Sequence, residues 1–181
     1  MKLTQKVRNT MFWGVDFLKK REIWRNVNDI AKILQDYNSP QSRQRRQTLI
    51  NDLLKHTSSS CDYYRRYQKF ESLSDFPVVN KNIIRDNLTM FRSSTFLDQP
   101  VHEMFTSGST GAPMVIYQDK GKRTRNTADT IYFASKANFK VGHKLYYMRL
   151  WNDHTKKSRI LSRLQNMVMV NVKGLNDEYF N

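Results

Sequence analysis

The sequence has very little cysteine and no long apolar run. Cys61 is the single cysteine among 181 residues, so an intrachain disulfide is excluded and a reducing compartment, the cytoplasm, is the expected location. No apolar stretch approaches the length of a signal-peptide core or of a membrane span, so neither is predicted. The four histidines show no paired spacing typical of metal ligands, and no metal site is predicted.

Acidic residues are also scarce, with 16 Asp and Glu against 31 Lys and Arg and a formal charge of +15. Such an excess indicates attraction to polyanions or anionic surfaces. It is unevenly distributed, because residues 61–120 carry 7 basic and 7 acidic side chains while the flanking thirds carry the whole excess. We expect acidic surface in another portion of a longer protein to match part of it.

The chain does contain the material for a core. Apolar residues make up 39% and aromatic residues 12% of the sequence, a composition that excludes a disordered chain. A length of 181 residues fits one ordinary domain with room for a small second subdomain. The sequence therefore predicts a folded globular protein.

Apolar positions three and four residues apart predict two successive helices. The first covers Ile23–Tyr37 and ends at the turn signal around Pro40. The second covers Gln41–His56 and is expected to end at the Thr57–Ser60 run. Its predicted inward face consists of Leu49, Ile50, Leu53 and Leu54.

An apolar patch with three basic neighbours precedes these helices. It is interpreted either as an interfacial helix or as a helix that packs on the core. The patch comprises Phe12, Trp13, Val15, Phe17 and Leu18, and the basic residues are Lys19, Lys20 and Arg21.

Beyond residue 60 the pattern changes from helices to strands alternating with helices. A short aromatic helix capped by Asp62 is predicted over 62–70, and a further one near Ile83–Asn87. Val101–Thr106 and Met114–Tyr117 are predicted strands.

The remaining predicted elements complete an α/β pattern. A helix over Lys122–Asn138 is expected to bury Thr127, Ile131, Ala134 and Phe139. Strands are predicted over Leu145–Leu150 and Met167–Val172, and the second of these reads as the most clearly buried strand. This alternation predicts an α/β fold with N-terminal helices followed by a mixed β-sheet with helices.

The segment between the first two predicted strands has an unusual composition. Residues 106–113 read Thr-Ser-Gly-Ser-Thr-Gly-Ala-Pro, with four hydroxyls and two glycines. Glycines let main-chain N–H groups face an anion without a side chain in the way, and hydroxyls add uncharged donors. The segment is therefore interpreted as a loop that binds a polyphosphate.

Other interpretations of this octet require different spacings or different flanking elements. An ordinary surface hairpin loop requires nothing more than the glycines and hydroxyls. The spacing is neither that of a Walker A loop nor that of a nucleophile elbow. Gly108 to Gly111 also fits the Gly-x-x-Gly clamp of KH nucleic-acid-binding modules, but that clamp joins two helices, whereas both flanks here read as strands.

The octet resembles the signature phosphate loop of the adenylate-forming superfamily, which includes acyl-CoA synthetases, luciferases and peptide-synthetase adenylation domains. Its surroundings are similar to the phenylacetate-CoA ligase branch, especially the CapK-like members of capsular polysaccharide biosynthesis. The similar segments are 49–67, 75–85 and 121–129, and the resemblance covers about residues 36 to 181.

The resemblance implies a two-step reaction with ATP, Mg²⁺ and coenzyme A as cofactors. A carboxylate substrate attacks the α-phosphate of ATP to give an acyl-adenylate and pyrophosphate, and a thiol then accepts the acyl group. The loop holds the β- and γ-phosphates in this family, which assigns that role to Thr106, Ser107, Gly108, Ser109, Thr110 and Gly111. Trp151 and Asn152 fall where the family begins to line its acyl pocket.

Two departures from the family pattern qualify these expectations. Met114 stands where many members have a lysine after the proline, so Lys120, Lys122 or Arg123 is considered as the phosphate-directed cation. The family's later adenine-binding, metal-binding and catalytic segments have no counterpart before Asn181.

These departures lead to an expectation about domain organisation. We expect an N-terminal helical segment over 1–38 and a partial large domain over 39–181, with no catalytic residue assigned. A separate chain is considered as the source of the rest. A non-catalytic remnant acting as an interaction protein is the other possibility. We expect the chain alone to bind ATP weakly and to show no ATP–pyrophosphate exchange.

Overall fold

The computed structural model describes residues 2–105, 114–151 and 155–174. These ranges form a mixed α/β structure, which confirms the predicted class at that level. The chain divides into two compact units, one made of residues 1–25 and 129–181 and the other of residues 26–128. This division does not test the predicted boundary at residue 38, which stays a prediction.

The described ranges contain seven α-helices and four β-strands. The helices are α1 (Leu3–Leu18), α2 (Glu22–Gln35), α3 (Pro40–Ser60), α4 (Lys81–Asp86), α5 (Leu88–Phe91), α6 (Lys120–Lys136) and α7 (Arg159–Leu164). The strands are β1 (His102–Phe105), β2 (Val115–Gln118), β3 (Leu145–Arg149) and β4 (Met167–Asn171). The predicted helices and strands are thus all present, with changed ends.

Helix α3 is longer than its sequence pattern predicts. Ser39 begins it as a cap, because the Ser39 hydroxyl accepts a hydrogen bond from the Ser42 amide at 3.2 Å. The prediction that the Thr57–Ser60 run ends the helix is wrong, since the helix continues through Ser60. The serine hydroxyls donate hydrogen bonds to carbonyl oxygens of the preceding turn, as Ser60 Oγ does to His56 O at 2.6 Å. Because their hydrogen-bonding capacity is met within the helix, these serines do not end it.

The predicted inward faces of α3 and α6 are partly wrong. Leu54 is buried, but Leu53 is 63% exposed and Ile50 is also exposed. On α6 the buried residues are Ala128 and Tyr132, one position on from the predicted Thr127 and Ile131. The spacing of apolar residues predicts that one face of a helix is buried. It does not determine which of two adjacent rows of side chains is covered, because that depends on the elements that pack against the helix.

An aromatic cluster follows α3. Residues 62–67 form a 3₁₀ helix, and Asp62 does not cap it but pairs with Arg65 at 2.6 Å, so the predicted cap is wrong. Tyr64 packs edge-to-face on Phe91 of α5, with ring centroids 5.5 Å apart. This contact connects the 3₁₀ helix to α5.

The strands form two separate two-stranded sheets in the described ranges. β1 pairs with β2 antiparallel, and β3 pairs with β4 in parallel. β4 is the most buried of the four described strands, as predicted, although within it only Val170 is fully buried. The assignment to the large domain of an adenylate-forming enzyme stays a prediction.

Asp29 connects three helices of the 26–128 unit. Its carboxylate oxygens accept hydrogen bonds from Nε of Arg45 at 2.8 Å and from an Nη of Arg125 at 2.8 Å. Burial by itself raises the pKa of Asp29, but the hydrogen bonds and charges of the two arginines outweigh it and hold the pKa below its ordinary value of 3.8. The ionised carboxylate is therefore the form that stabilises this unit.

Replacing this carboxylate should weaken the fold in a pH-dependent way. We expect Asp29→Asn to lower the free energy of unfolding by about 1–2 kcal/mol at neutral pH, a range discounted because the Arg45 side chain is 46% exposed. Because the folded pKa is depressed, the contribution is present above the unfolded value of 3.8 and is lost as the pH falls through the folded value. Urea unfolding at a series of pH values measures both effects.

The matched control is Asp52→Asn, which changes an exposed carboxylate on α3. It should leave the free energy of unfolding nearly unchanged at every pH. Equal losses in the two variants would contradict the role given to Asp29.

Candidate functional site

The candidate site is built on the β1–β2 hairpin. The register pairs His102 with Gln118 at one end and Phe105 with Val115 at the other. The chain therefore leaves the sheet at Phe105 and re-enters it directly opposite, at Val115. The predicted strands on both sides of the hydroxyl-rich octet are confirmed, and their antiparallel pairing makes this a hairpin.

The predicted phosphate-binding residues lie outside the described residues. These are Thr106, Ser107, Gly108, Ser109, Thr110 and Gly111. Their role stays a prediction, and the structure describes the two strands that flank the segment, β1 and β2. Paired antiparallel residues have Cα atoms about 5 Å apart, so Phe105 and Val115, which flank the segment, lie close together.

A cavity of about 240 Å³ lies beside β2. Most of its lining is apolar and comes from α4, α5 and β2, and its polar lining residues are Arg92, Ser93, Tyr117 and Asp119. An apolar pocket with a few convergent polar groups is the usual form of a small-molecule site. Among the described lining residues the charged ones are one cation, Arg92, and one carboxylate, Asp119.

Arg92 is held over an aromatic ring. Its guanidinium carbon lies 4.5 Å from the centroid of the Tyr117 ring, a cation–π contact. Within the ranges that the structure describes, no carboxylate pairs with this guanidinium. The charge of Arg92 is thus available to an anion, while the Tyr117 ring fixes its place in the cavity wall.

Asp119 also lines the cavity and immediately precedes α6. Its Oδ1 accepts a hydrogen bond from the Lys122 amide at 2.9 Å. The first turn of α6 contains the basic residues Lys120, Lys122 and Arg123, all exposed. Their candidacy as the phosphate-directed cation in place of a lysine at Met114 stays a prediction.

A hydrogen-bonded network behind the cavity was not predicted. Ser93 Oγ donates to Ser60 Oγ at 2.9 Å and lies 3.2 Å from His56 Nε2. Sequence patterns gave no signal for it, because Ser93 is 33 positions from Ser60 and the predicted end of α3 before Thr57 would have separated Ser60 from the helix.

The network has the distances of a serine–histidine pair but not its chemistry. The Ser93 proton is donated to Ser60 and the Ser60 proton to the His56 carbonyl, so neither is held by the imidazole. No carboxylate among the described residues orients the His56 ring, as the third member of a catalytic triad does. The arrangement therefore fixes Ser93 in the cavity wall instead of activating it.

Neither Cys61 nor Trp151 is among the residues that line this cavity. Cys61 is buried, and burial raises the pKa of that thiol. Trp151 is buried, and its Nε1 donates to the carbonyl oxygens of Val170 at 3.0 Å and Tyr147 at 3.2 Å. These described contacts are those of a packed side chain. Asn152 lies outside the described residues, so the acyl-pocket role of both stays a prediction.

Comparisons with known proteins leave the site to be interpreted from its own chemistry. The chain matches no family model, no curated protein and no solved structure. None of the helices in the described ranges is long and apolar enough to cross a membrane. The same ranges contain no group of three or more His, Cys, Asp or Glu side chains placed to hold a metal ion.

The Ser93 network predicts a measurable loss of stability. Ser93→Ala removes the donor to Ser60 and a partner of His56, so we expect the free energy of unfolding to fall by about 1–2 kcal/mol in urea unfolding. The control Ser94→Ala changes an exposed neighbour and should shift it by less than about 0.5 kcal/mol. A Ser93→Ala variant as stable as the control would show that the network does not stabilise the fold.

Proposed function

We propose that the 106–113 segment binds the triphosphate of ATP in an ATP-dependent carboxylate-activating ligase. The observation that carries the proposal is the setting of the segment. Its four hydroxyls and two glycines stand between strands that pair antiparallel up to Phe105 and Val115. Paired strands on both sides limit the freedom of the chain that enters and leaves the segment, and donors that are preorganised lose less entropy when they bind an anion.

The chemistry follows from what such donors do in a phosphoryl reaction. When a carboxylate attacks the α-phosphate, negative charge accumulates on the departing pyrophosphate. Main-chain amides and hydroxyls placed around the β- and γ-phosphates stabilise that charge and hold the α-phosphate in line for attack. Positioning and electrostatic stabilisation are the contributions that this chain makes in the proposal.

Mg²⁺ and coenzyme A belong to the proposal without assigned residues. Mg²⁺ supplies charge neutralisation on nucleotide phosphates when it is bound. Because no acidic cluster suited to a metal lies in the described ranges, we derive no step through the ion. The carboxylate substrate, the thiol acceptor and a link to capsular polysaccharide biosynthesis rest on the resemblance of the octet and its surroundings alone.

The nucleic-acid-binding alternative has less support. A KH clamp places its Gly-x-x-Gly between two helices, and the described flanks of this segment are the strands β1 and β2. The 61–120 third, which contains the segment, is also balanced in charge. The excess of basic residues therefore gives no particular support to RNA binding at this loop.

Binding of inorganic tripolyphosphate tests the proposal directly. This probe has the anionic tail without the nucleoside, so it reports on the loop itself. We expect isothermal titration calorimetry to detect binding, and we expect Ser107→Ala combined with Ser109→Ala to weaken it about tenfold or more, because each removes a charge-assisted hydrogen bond.

Two controls make the result specific. Ser94→Ala removes an exposed hydroxyl outside the loop and should bind the probe as the parent chain does. A single-stranded RNA should not compete with tripolyphosphate. The proposal fails if the loop variant retains full affinity, if the chain does not bind tripolyphosphate, or if RNA binding with a steep salt dependence is lost in the same variant.

A further inference from the structure

Helix α1 exposes a continuous apolar stripe. Five apolar side chains recur at steps of four, four, four and three residues, which places them on one face of the helix. Each is at least half exposed, from 50% to 81%, and the set is Leu3, Val7, Met11, Val15 and Leu18. At 1.5 Å per residue the stripe is about 22 Å long, so nearly the whole helix contributes to it.

The opposite face of α1 is the one that packs. Asn9 Nδ2 donates to the Val141 carbonyl at 2.9 Å. Gly142 approaches the helix so closely that a Cβ there would collide with the Gln5 carbonyl oxygen, and its φ of +95° also favours glycine. Phe12 and Trp13, two members of the apolar patch noted in the sequence, are half-buried on this side. The orientation of α1 is therefore fixed with the stripe outward.

The rim of the stripe is cationic. At 100° per residue, Arg8 and Lys19 lie on one side of it and Lys6 on the other. At the end of the helix the Arg21 guanidinium stacks on the exposed Phe17 ring, with 4.9 Å between the guanidinium carbon and the ring centroid. The described part of α1 thus presents an apolar centre between basic borders.

The single acidic residue of this segment does not face the stripe. Asp16 is the only Asp or Glu between residues 2 and 21, and it is 3% exposed. Its two carboxylate oxygens accept the amides of Ile23 at 2.9 Å and Trp24 at 3.0 Å at the start of α2. Because its charge is committed to those donors, nothing on α1 offsets the basic rim.

We propose that α1 docks in the plane of an anionic lipid surface. An apolar stripe on a short helix with basic borders is the pattern of interfacial helices, which bury the stripe at the headgroup boundary while Lys and Arg contact anionic headgroups. A second copy of the chain fits this face less well, since two stripes in contact bring their cationic rims together. The helix lies on the surface and does not cross it, because its 16 residues are fewer than a span needs.

The test is vesicle co-sedimentation of the full chain. We expect binding to phosphatidylcholine vesicles that contain phosphatidylglycerol, weaker binding to phosphatidylcholine alone, and a decline with added salt. Met11→Glu places a charge at the centre of the stripe and should lower partition about tenfold or more. Lys6→Gln and Lys19→Gln should each lower partition into anionic vesicles about fivefold.

Matched substitutions outside α1 test whether vesicle binding depends on this face or on the overall hydrophobicity and charge of the protein. Leu53→Glu alters an equally exposed apolar residue on α3, and Lys32→Gln removes an exposed cation on α2; both should leave partition unchanged. An unchanged thermal unfolding curve shows that Met11→Glu still folds.

Three outcomes would overturn the proposal. They are absence of binding to anionic vesicles, equal binding to neutral and anionic vesicles, and dimerisation that Met11→Glu abolishes while vesicle binding stays undetected. Tripolyphosphate binding by the hairpin is measured independently, so each proposal can fail without the other.

Discussion

The antiparallel pairing of β1 with β2 is the constraint on which the candidate site depends. It sets Phe105 and Val115, which flank the 106–113 segment in the sequence, opposite each other. It also places Tyr117 where its ring supports the Arg92 guanidinium and places β2 as one wall of the cavity. A slip of one residue in this register would turn the side chains of β2 to the other face and remove Tyr117 from Arg92.

The cavity wall in turn depends on the C-terminal turn of α3. Ser60 occupies the last position of that helix and receives the Ser93 hydroxyl, while His56, one turn earlier, contacts the same hydroxyl. A helix that ended before Thr57 would provide no such partner. Buried hydroxyls are tolerated here because each is hydrogen-bonded, so the extra turn of helix stabilises the site without leaving unpaired donors.

The elements that sequence patterns predicted well are those with a strong local signal. The strands β1 and β2, predicted from their composition, and helix α2, predicted from its apolar stripe, lie within a residue or two of their predicted bounds. Local patterns fail where tertiary contacts decide the outcome. Whether Leu53 or Leu54 is covered depends on what packs against α3, and the link from Ser93 to His56 depends on chain segments far apart in sequence.

In the candidate site, too, the features with a local sequence signal were predicted and those that depend on tertiary contacts were not. The phosphate loop and the two strands beside it were predicted from composition, and a hairpin only as the alternative of an ordinary surface loop. The cavity, the pairing of Arg92 with Tyr117 and the exposure of the α1 stripe were not, because each arises from the packing of separate segments. Trp151 illustrates the reverse case, since a residue assigned to a pocket by resemblance has contacts with Tyr147 and Val170 that packing alone explains.

The scarcity of acidic residues is in keeping with two proposed ligands that are anions. Several carboxylates accept main-chain amides: Asp16 those at the start of α2, Asp75 those of Glu71 and Ser72, and Asp119 that of Lys122. These hydrogen bonds leave the net charge unchanged, so the chain as a whole stays strongly cationic, with 31 basic against 16 acidic side chains. The excess of basic residues is absent from residues 61–120, the third that contains the hairpin. Phosphate binding there therefore depends on neutral hydrogen-bond donors. Binding of α1 to anionic lipids depends instead on its Lys and Arg side chains.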